Sequence, residues 1–424
     1  MTVATNKYLL FALSCFLIIF GFPGQSVGIC ALTDSIIATT GMSRNTFGNV
    51  YMCATISGCF LVLISGRAVD KFGIRRTTLA ALLLWAAVFL AVGNGDFLRR
   101  NLLGGRVKCA TFYAAFLYIN LSLMRFLGQN MLPMQGRLQI VKSFSKNQGI
   151  AIGIEGMFVA IGTGFAPRIM RFLSANGGWE RAYGRLFTVA AAAVVVFYFL
   201  FKDGGGGNRN GWKRNAATGS SARVRGGISK VKLLKMPMFW CLMLPLCFNA
   251  FIGTGTTVHI TDIFREIGAE EHLAINSYAY LCAISVASGI AFGRQLDSNR
   301  IKLCILAQLS LQLLGLMGLE FSKNIFGFAL YVFCIGCSWG GYNILRTAAW
   351  SKIFGAKNIG DILGLVYFCS ATVGAVSASL MSYCMGLTGS YFHLMHAAEC
   401  AIGVTMIFVA KNFNAGRRLA AEKL

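Results

Sequence analysis

Residues 66–76 read Gly-Arg-Ala-Val-Asp-Lys-Phe-Gly-Ile-Arg-Arg, and a related stretch, Gly-Arg-Gln-Leu-Asp-Ser-Asn-Arg, occupies residues 293–300. In both stretches an Asp follows a Gly by four residues, and cations come after it. Each stretch lies between two long apolar segments, which is typical of a short polar turn between two helices. The same Gly and Asp spacing at matching places in two parts of a chain indicates duplicated halves.

The apolar segments around these turns predict the fold class. Of the 424 residues, 56% are hydrophobic and 13% are charged, whereas a soluble domain carries about 25% charged residues. Apolar stretches of about 18 to 25 residues match the helix length that crosses roughly 30 Å of hydrocarbon. We therefore predict an all-α integral membrane protein with twelve transmembrane helices in two pseudo-symmetric six-helix halves. The predicted spans are 8–30, 47–65, 78–95, 110–134, 148–170, 182–201, 238–258, 272–292, 301–319, 324–346, 360–384 and 391–411.

The longest connection, residues 202–236, divides the chain. It contains four consecutive glycines at 204–207 and is rich in Asn, Ser, Arg and Lys. Such a composition cannot bury a core and is typical of a flexible linker. The predicted organisation is an N-terminal half at 1–201, a basic cytoplasmic linker at 202–236 and a C-terminal half at 237–424.

The net charge of +24 reflects 39 Lys and Arg against 15 Asp and Glu. The connecting segments on the side of the two termini hold 27 of these cations, and those on the other side hold 11. The positive-inside rule therefore predicts that both termini are cytoplasmic, and the four cations at 99–108 lie against the rule. Nucleic-acid binding needs cations clustered with aromatic residues on a folded surface. The charge therefore indicates topology and contact with membrane lipids, with no nucleic-acid partner.

The 66–76 stretch resembles the cytoplasmic loop signature of the major facilitator superfamily, Gly-x-x-x-Asp-Arg/Lys-x-Gly followed by basic residues, with Ile74 at the first basic position. Three further stretches resemble the branch that contains oxalate/formate antiporters and monocarboxylate transporters. They are Gly149 to Gly153, Phe354-Gly355 and Thr388 to Tyr391. The resemblance implies the major facilitator fold, in which spans 1, 4, 7 and 10 line a central cavity. It also implies a monomeric secondary transporter of the plasma or inner membrane.

The two Gly–Asp stretches are candidate gating loops. An Asp in such a loop can pair with a nearby Arg and lie near a helix N-terminus, where the helix dipole favours negative charge. We expect this latch to stabilise the outward-open state and to release when the halves rock, so that Asp70→Asn impairs transport without preventing membrane insertion. The candidate gating residues are Gly66, Asp70, Lys71, Gly73, Arg75, Arg76, Gly293, Asp297 and Arg300.

Ionisable residues inside spans are costly in a bilayer and therefore indicate a role. Arg125 in span 4 and Glu155 in span 5 lie about 15 and 10 Å from the same end of neighbouring antiparallel spans. One interpretation is a structural ion pair. Another is a site where Arg125 binds a substrate carboxylate and Glu155 takes a coupling proton. A third combines them in a pair that opens when substrate arrives.

The implied cavity-lining spans supply the remaining candidates. For isolated Gln and Asn residues an interhelical hydrogen bond is the alternative role, and Arg346 lies where its charge can reach water at the cytoplasmic end. The candidate substrate-binding residues are Gln25, Arg125, Gln129, Asn249, Trp339, Tyr342, Asn343 and Arg346.

The predicted function is transport of a small organic anion, a mono- or dicarboxylate, by proton symport or anion exchange through alternating access. The middle of spans 8 and 11 lacks the basic residue that relatives commonly place there. The alternative is therefore a proton-coupled transporter or exporter of a neutral or cationic metabolite or drug. The expected partners are the small-molecule substrate and protons or a counter-transported anion.

Enzyme activity is not expected, since no nucleophile-and-base arrangement, phosphate-binding loop or metal motif is present. His393, His396 and Glu399 recur every three residues but lack the spacing of zinc hydrolases. No metal or cofactor is predicted.

Overall fold

The computed structural model describes residues 7–103, 109–144, 147–201, 230–355 and 359–423. Every regular element within these ranges is helical, because a helix satisfies the backbone hydrogen bonds of an apolar segment where no water is available. Eleven helical segments in the described ranges are long and apolar enough to cross a membrane. The chain is a multi-pass integral membrane protein, as predicted.

Two compact units divide the helices, and we describe each by itself. Unit 1 comprises residues 1–139 and 161–207, and unit 2 comprises residues 140–160 and 208–424. Residues 202–229, most of the predicted linker, lie outside the described residues. The helix running from Gln148 to Ser174 contributes to both units. The predicted boundaries at 201 and 237 stay predictions.

Unit 1 contains the first ten helices, of which the last part of α8 and the first part of α9 belong to unit 2. They are α1 (Lys7–Ile19), α2 (Ser26–Cys30), α3 (Thr33–Thr40), α4 (Arg44–Phe72), α5 (Ile74–Gly93), α6 (Gly95–Leu103), α7 (Cys109–Met124), α8 (Leu132–Ser143), α9 (Gln148–Ser174) and α10 (Gly178–Leu200).

Within the described residues from 230 onward, unit 2 adds eight helices. They are α11 (Lys230–Leu234), α12 (Pro237–Glu266), α13 (Glu271–Asp297), α14 (Ile301–Glu320), α15 (Ile325–Leu345), α16 (Ala348–Phe354), α17 (Ile359–Thr388) and α18 (Phe392–Lys423).

The fourth predicted span is a composite of three elements. A π-helical turn, Arg125–Met131, joins α7 to α8, so that the helical path continues from residue 109 to 143. None of the three pieces reaches the length of a membrane crossing alone, but together they exceed it. With this composite segment, the described residues contain the twelve predicted spans. π-helical turns inside helices are frequent at functional sites.

Several helices continue beyond the predicted spans, because polar residues at the end of an apolar window can still be helical. Helix α4 extends to Phe72, so Asp70 lies in its last turn, and the chain reverses at Gly73, whose φ of 87° favours glycine. Helix α13 likewise includes Gly293 and Asp297. The first predicted span, in contrast, ends early, since a 3₁₀ turn at Phe22–Gly24 separates α1 from α2.

The anomalous cations at 99–108 are partly explained by helix α6. Asp96 in its first turn lies 2.9 Å from the Arg99 guanidinium and 2.5 Å from that of Arg100. These hydrogen bonds hold the pKa of the Asp96 carboxyl below its ordinary value. Asp96 thus contacts two of the four cations and offsets one of their two charges, and the other two cations, Arg106 and Lys108, lie outside the described residues.

Candidate functional site

Arg125 is a buried cation of unit 1. Only 4% of its surface is exposed, and it begins the π-helical turn between α7 and α8. Its Nε donates to Thr55 Oγ1 at 3.1 Å, while Nη1 donates to Ser26 Oγ at 3.2 Å and to the Gly24 carbonyl oxygen at 3.4 Å. The guanidinium carbon lies 5.1 Å from the Tyr51 ring centroid, within cation–π distance.

The hydrogen-bond donors at this site exceed the acceptors that unit 1 supplies. A guanidinium has five N–H groups, and three are engaged by the contacts of Nε and Nη1. In the described part of unit 1, the Nη2 group has no hydrogen-bond partner, and every partner of the guanidinium is neutral. Ser26 Oγ also accepts from the Tyr51 hydroxyl at 2.9 Å, which leaves the Ser26 proton available to donate. The site can therefore donate to an anion.

The backbone around Arg125 is held by a polar side chain and by close packing. Asn130 Nδ2 donates to the Arg125 carbonyl oxygen at 3.1 Å, which stabilises the π-helical turn. A Cβ atom at Gly128 would lie 2.5 Å from the Gly21 carbonyl oxygen, so the turn packs directly on the chain after α1. The close packing of Gly128 on Gly21 therefore also positions the nearby Gly24 and Ser26 beside Arg125.

Sequence reasoning missed Ser26, Tyr51 and Thr55 at this site. Tyr51 and Thr55 are four residues apart and share a face of α4, which is the signal that could have indicated them. Of the predicted neighbours, Gln25 is half-buried and precedes α2, while Gln129 Oε1 is buried with no partner among the described residues. Arg125 lies in unit 1 and Glu155 is buried in α9 within unit 2, so their pairing stays a prediction.

The candidates in unit 2 divide between packing and possible binding. Asn249 Nδ2 donates to Ser338 Oγ at 2.9 Å, and Gln308 Nε2 donates to the same oxygen at 3.3 Å. These two buried hydrogen bonds connect α12, α14 and α15, so the Asn249 side chain contributes to packing between helices. Trp339 packs edge-to-face against Tyr278 at 5.8 Å, and Asn343 is half-buried in α15.

Arg346 is held by aromatic rings. Its guanidinium carbon lies 3.7 Å from the Tyr367 ring centroid and 5.5 Å from the Tyr342 centroid. Its Nε is buried and has no hydrogen-bond partner among the described residues. The stacking fixes the guanidinium plane through cation–π attraction and leaves the edges of the group for polar contacts.

Asp297 closes a clasp at the N-terminus of α9. Its Oδ1 accepts from Gly149 N at 3.0 Å, and its Oδ2 accepts from Ile150 N at 3.1 Å. The first amides of a helix have no partners inside the helix, and the helix dipole favours a carboxylate there. Lys352 Nζ donates to Asp297 Oδ1 and to the Leu296 carbonyl oxygen, each at 2.9 Å.

The paired cation is Lys352, which the sequence did not indicate, whereas Arg300 Nη1 donates to Gln295 Oε1 at 3.4 Å. Direct backbone contact supports the clasp. A Cβ atom at Gly149 would lie 2.3 Å from the Gly293 carbonyl oxygen. Helices α9 and α13 therefore meet through two glycines beside the Asp297 carboxylate.

The corresponding stretch of the first half lies in unit 1. Gly66 is buried and Asp70 is exposed in the last turns of α4, where Lys71 Nζ lies 5.2 Å from the Phe72 ring centroid. Arg75 Nη2 donates to the Tyr198 carbonyl oxygen at 2.6 Å, and Arg76 is exposed. The proposed latch of Asp70 stays a prediction.

The intramembrane carboxylate of α18, Glu399, is half-buried. One turn earlier, His396 Nε2 lies 3.3 Å from Glu320 Oε2, and His393 is exposed. Among the described residues, no group of three or more His, Cys, Asp or Glu is arranged to hold a metal ion.

The long apolar helices of the described residues, with buried polar groups inside them, are those of a multi-pass membrane protein. Residues 7–378 match the family model of the Major Facilitator Superfamily, and the chain belongs to this family. It is a transporter and not an enzyme, as predicted.

Curated relatives align over part of the chain. Monocarboxylate transporter 12 of Rattus norvegicus and that of Mus musculus are each 26% identical over 179 residues, which cover 41% of this chain. The aligned region spans 36% of the length of these relatives.

Solved structures match nearly the whole chain. The proton:xylose symporter XylE gives a TM-score of 0.64 at 14% identity, covering 99% of this chain and 95% of that one. The E. coli fucose:proton symporter FucP gives 0.65 at 12% identity, covering 96% and 98%. The human organic anion transporter MFSD10 gives 0.64 at 11% identity, covering 95% and 99%. At these identities the likeness shows the fold, which confirms the predicted architecture.

Proposed function

We propose that this protein carries a small organic anion, a mono- or dicarboxylate, by alternating access, coupled to proton symport or to exchange against another anion. The observation that carries the proposal is the Arg125 site, where a buried guanidinium has neutral partners in its unit and two N–H groups without partners there. The local similarity to monocarboxylate transporter 12 supports the same substrate class.

The chemistry of the site favours a carboxylate. The Nη2 group of Arg125 and the Ser26 hydroxyl are donors, and a carboxylate accepts two such bonds at once. A buried cation with neutral neighbours costs desolvation energy that an arriving anion offsets. Tyr51 covers the guanidinium face, so a ligand would approach its edge. A sugar or an amine would leave the charge uncompensated.

Proton coupling would fall to Glu155, the buried carboxyl of α9. A buried carboxyl group can bind and release a proton when its surroundings change between two conformations. In the proposed cycle, protonation of Glu155 accompanies anion movement. An exchanger would need no net proton uptake, so Glu155→Gln separates the two modes. The variant should lose proton-driven uptake and keep anion exchange if coupling runs through Glu155.

The clasp at Asp297 supports the alternating-access part of the proposal. Its contacts are polar and point at backbone amides and one ammonium group, so they can break and re-form without leaving an apolar cavity. We propose that the clasp holds the predicted cytoplasmic end of α9 against α13 in one state and opens in the other. The positive-inside distribution supports cytoplasmic termini in a plasma or inner membrane, and we propose that a monomer is the transporting unit.

Counterflow in proteoliposomes tests the substrate class. Vesicles loaded with one member of a mono- and dicarboxylate panel should accumulate the labelled anion, whereas sugar and amine panels should give no signal. Arg125→Gln should reduce carboxylate counterflow at least tenfold, since it removes the positive charge and the paired N–H donors of the guanidinium. Arg185→Gln is the matched control, because Arg185 is half-buried in α10 and donates to the Leu173 carbonyl oxygen.

Unchanged carboxylate counterflow in Arg125→Gln would contradict the proposed site. Counterflow with sugars or amines, and none with carboxylates, would establish the alternative substrate class. The Arg185→Gln variant should transport like the parent protein, so that a loss there would indicate a general effect of removing a cation from unit 1.

A further inference from the structure

His259 lies at the centre of a polar cluster in unit 2, on the side predicted to face outward. It is in α12, and its ring stacks on the Tyr391 ring with centroids 5.1 Å apart. His259 Nε2 lies 3.0 Å from the Ala378 carbonyl oxygen and 3.2 Å from Ser382 Oγ, both on α17. His259 Nδ1 lies 3.4 Å from the Tyr391 hydroxyl, just before α18. The imidazole on α12 thus contacts α17 and the residue that precedes α18.

These contacts define the tautomer of the neutral ring. A backbone carbonyl oxygen can only accept, so Nε2 carries the proton and donates to Ala378. Nδ1 is then the free acceptor and receives a bond from the Tyr391 hydroxyl. Protonation adds a hydrogen to Nδ1, reverses that bond and makes the ring a cation. The proton therefore has one defined place of binding.

The charged groups near His259 come from its own helix. Asp262 lies one helical turn further along α12 and is bound by Arg265 at 3.0 Å. Glu266 accepts from Tyr391 N at 3.1 Å and from the Ser390 hydroxyl. Burial, and after it the negative charges of Asp262 and Glu266, raises the pKa of Tyr391. The contacting groups of α17 are neutral in the described residues.

The cluster connects the end of α12, a helix with an interior proline, to its neighbours. Helix α12 contains Pro245 in its interior, which removes a backbone hydrogen bond. Beyond it, His259 and Glu266 supply the side-chain hydrogen bonds that tie the end of α12 to α17 and to residues 390–391. Of these two groups, only imidazole ordinarily changes charge between pH 5 and 8.

We propose that His259 is a proton-binding site on the predicted outer side, and that its protonation tightens the attachment of α12 to α17 and α18 and slows transport at acid outside pH. A charge-assisted hydrogen bond is about twice as strong as a neutral one. This site is separate from the Arg125 site and from Glu155. The proposal for His259 rests on the proposed function only in the experiment that measures transport.

Histidine NMR on the purified full chain tests proton binding without any substrate. The chain has four histidines, so ¹⁵N-histidine labelling gives a spectrum that His259→Gln assigns by the loss of one ring. We expect the Nε2–H tautomer at pH 8 and a second proton on Nδ1 at pH 5, since imidazole ordinarily changes charge in this range.

An Nδ1–H tautomer of the neutral ring, or no proton uptake at Nδ1 between pH 8 and 5, would each overturn the proposal. If His259→Gln fails to fold, His272→Gln and the other single replacements assign the remaining rings by elimination. The spectrum of the His259 ring then still decides.

The transport arm uses exchange of the carboxylate that counterflow identifies, with inside pH held at 7.5 and outside pH varied. All variants carry Glu155→Gln, which removes the proposed proton coupling and should keep anion exchange. In this background exchange should slow by about fivefold between outside pH 8 and 5, equivalent to about 1 kcal/mol. Adding His259→Gln should abolish this pH response. The matched control His272→Gln, which removes an exposed imidazole 2.9 Å from Glu270, should keep the full pH response.

Two results in the transport arm overturn the proposal: a pH response that survives in His259→Gln, or one that follows inside pH. Absence of any carboxylate transport would overturn the proposed function instead, and the NMR arm would still decide the proton site.

Discussion

Replacing Asp297 with Asn should open the clasp on α9. The carboxylate accepts from Gly149 N at 3.0 Å, from Ile150 N at 3.1 Å and from Lys352 Nζ at 2.9 Å. Asn is nearly the same size but offers one acceptor oxygen and no charge. The variant therefore loses one amide contact, the favourable charge at the helix N-terminus and the ion pair.

The magnitude is set mainly by the loss of the charge at the helix N-terminus and the loss of the ion pair. A charge at a partly buried helix terminus is worth about 1 kcal/mol. Asp297 and Lys352 are only 12% and 18% exposed, so their pair is worth more than a surface pair, about 1 to 2 kcal/mol. Together the clasp should weaken by about 2 to 3 kcal/mol, which is roughly a 30- to 160-fold shift in the opening equilibrium.

Hydrogen–deuterium exchange reads this shift directly. Amide exchange reports local opening, so the peptide that contains Gly149 and Ile150 should lose protection by that factor in Asp297→Asn. Lys352→Gln leaves the amide contacts in place and should lose only about fivefold, equivalent to about 1 kcal/mol. Asp96→Asn removes an acid of unit 1 and is the control for loss of charge.

The reasoning would be refuted by equal exchange at Gly149 and Ile150 in the parent protein and in Asp297→Asn. It would also fail if Asp96→Asn changed the exchange of this peptide as much as Asp297→Asn does.

Three further outcomes are expected. Gly149→Ala should impair folding or transport, because its Cβ would lie 2.3 Å from the Gly293 carbonyl oxygen. The control is Gly156→Ala on the same helix, whose Cβ would meet no atom within 4 Å. This control should leave thermal melting and counterflow unchanged. Asn324→Ala should lower thermal stability by about 1 kcal/mol, because it removes the 2.8 Å cap on Gly327 N; no change in the melting temperature would contradict the cap. The pKa of Asp96 is lowered in the folded protein, so its ion pairs stabilise the fold above the pKa of the unfolded state, and this stabilisation is lost as pH falls. The melting temperatures of the parent protein and Asp96→Asn should therefore converge between pH 5 and 3. A difference in melting temperature that does not change with pH would contradict this prediction.

The membrane fold could be predicted from the sequence because its signals are local. An apolar run long enough to cross hydrocarbon forms a helix wherever it lies, since its backbone has no other way to satisfy its hydrogen bonds. The boundaries were less accurate, as at Phe72, because helices continue through polar residues beyond the apolar window. The composite fourth span was predicted by its length, although its π-helical turn at Arg125 carries no sequence signal.

The sites depended on contacts between residues far apart in the chain. Arg125 was conspicuous in the sequence as a cation within an apolar span, but its partner Thr55 is 70 residues away and Ser26 is 99 residues away. Asp297 was indicated by the repeated Gly–Asp spacing, yet the tertiary structure decided that it caps α9 and pairs with Lys352, 55 residues further on.

The sequence by itself determined that this chain spans a membrane in two related halves, because length, hydropathy and charge balance act residue by residue. Only the tertiary structure decided which polar groups meet. A hydrogen bond depends on a few tenths of an ångström and on direction, and helix packing sets both. For that reason the donors left at Arg125 and the imidazole bridge at His259 became visible only when the helices were placed beside one another.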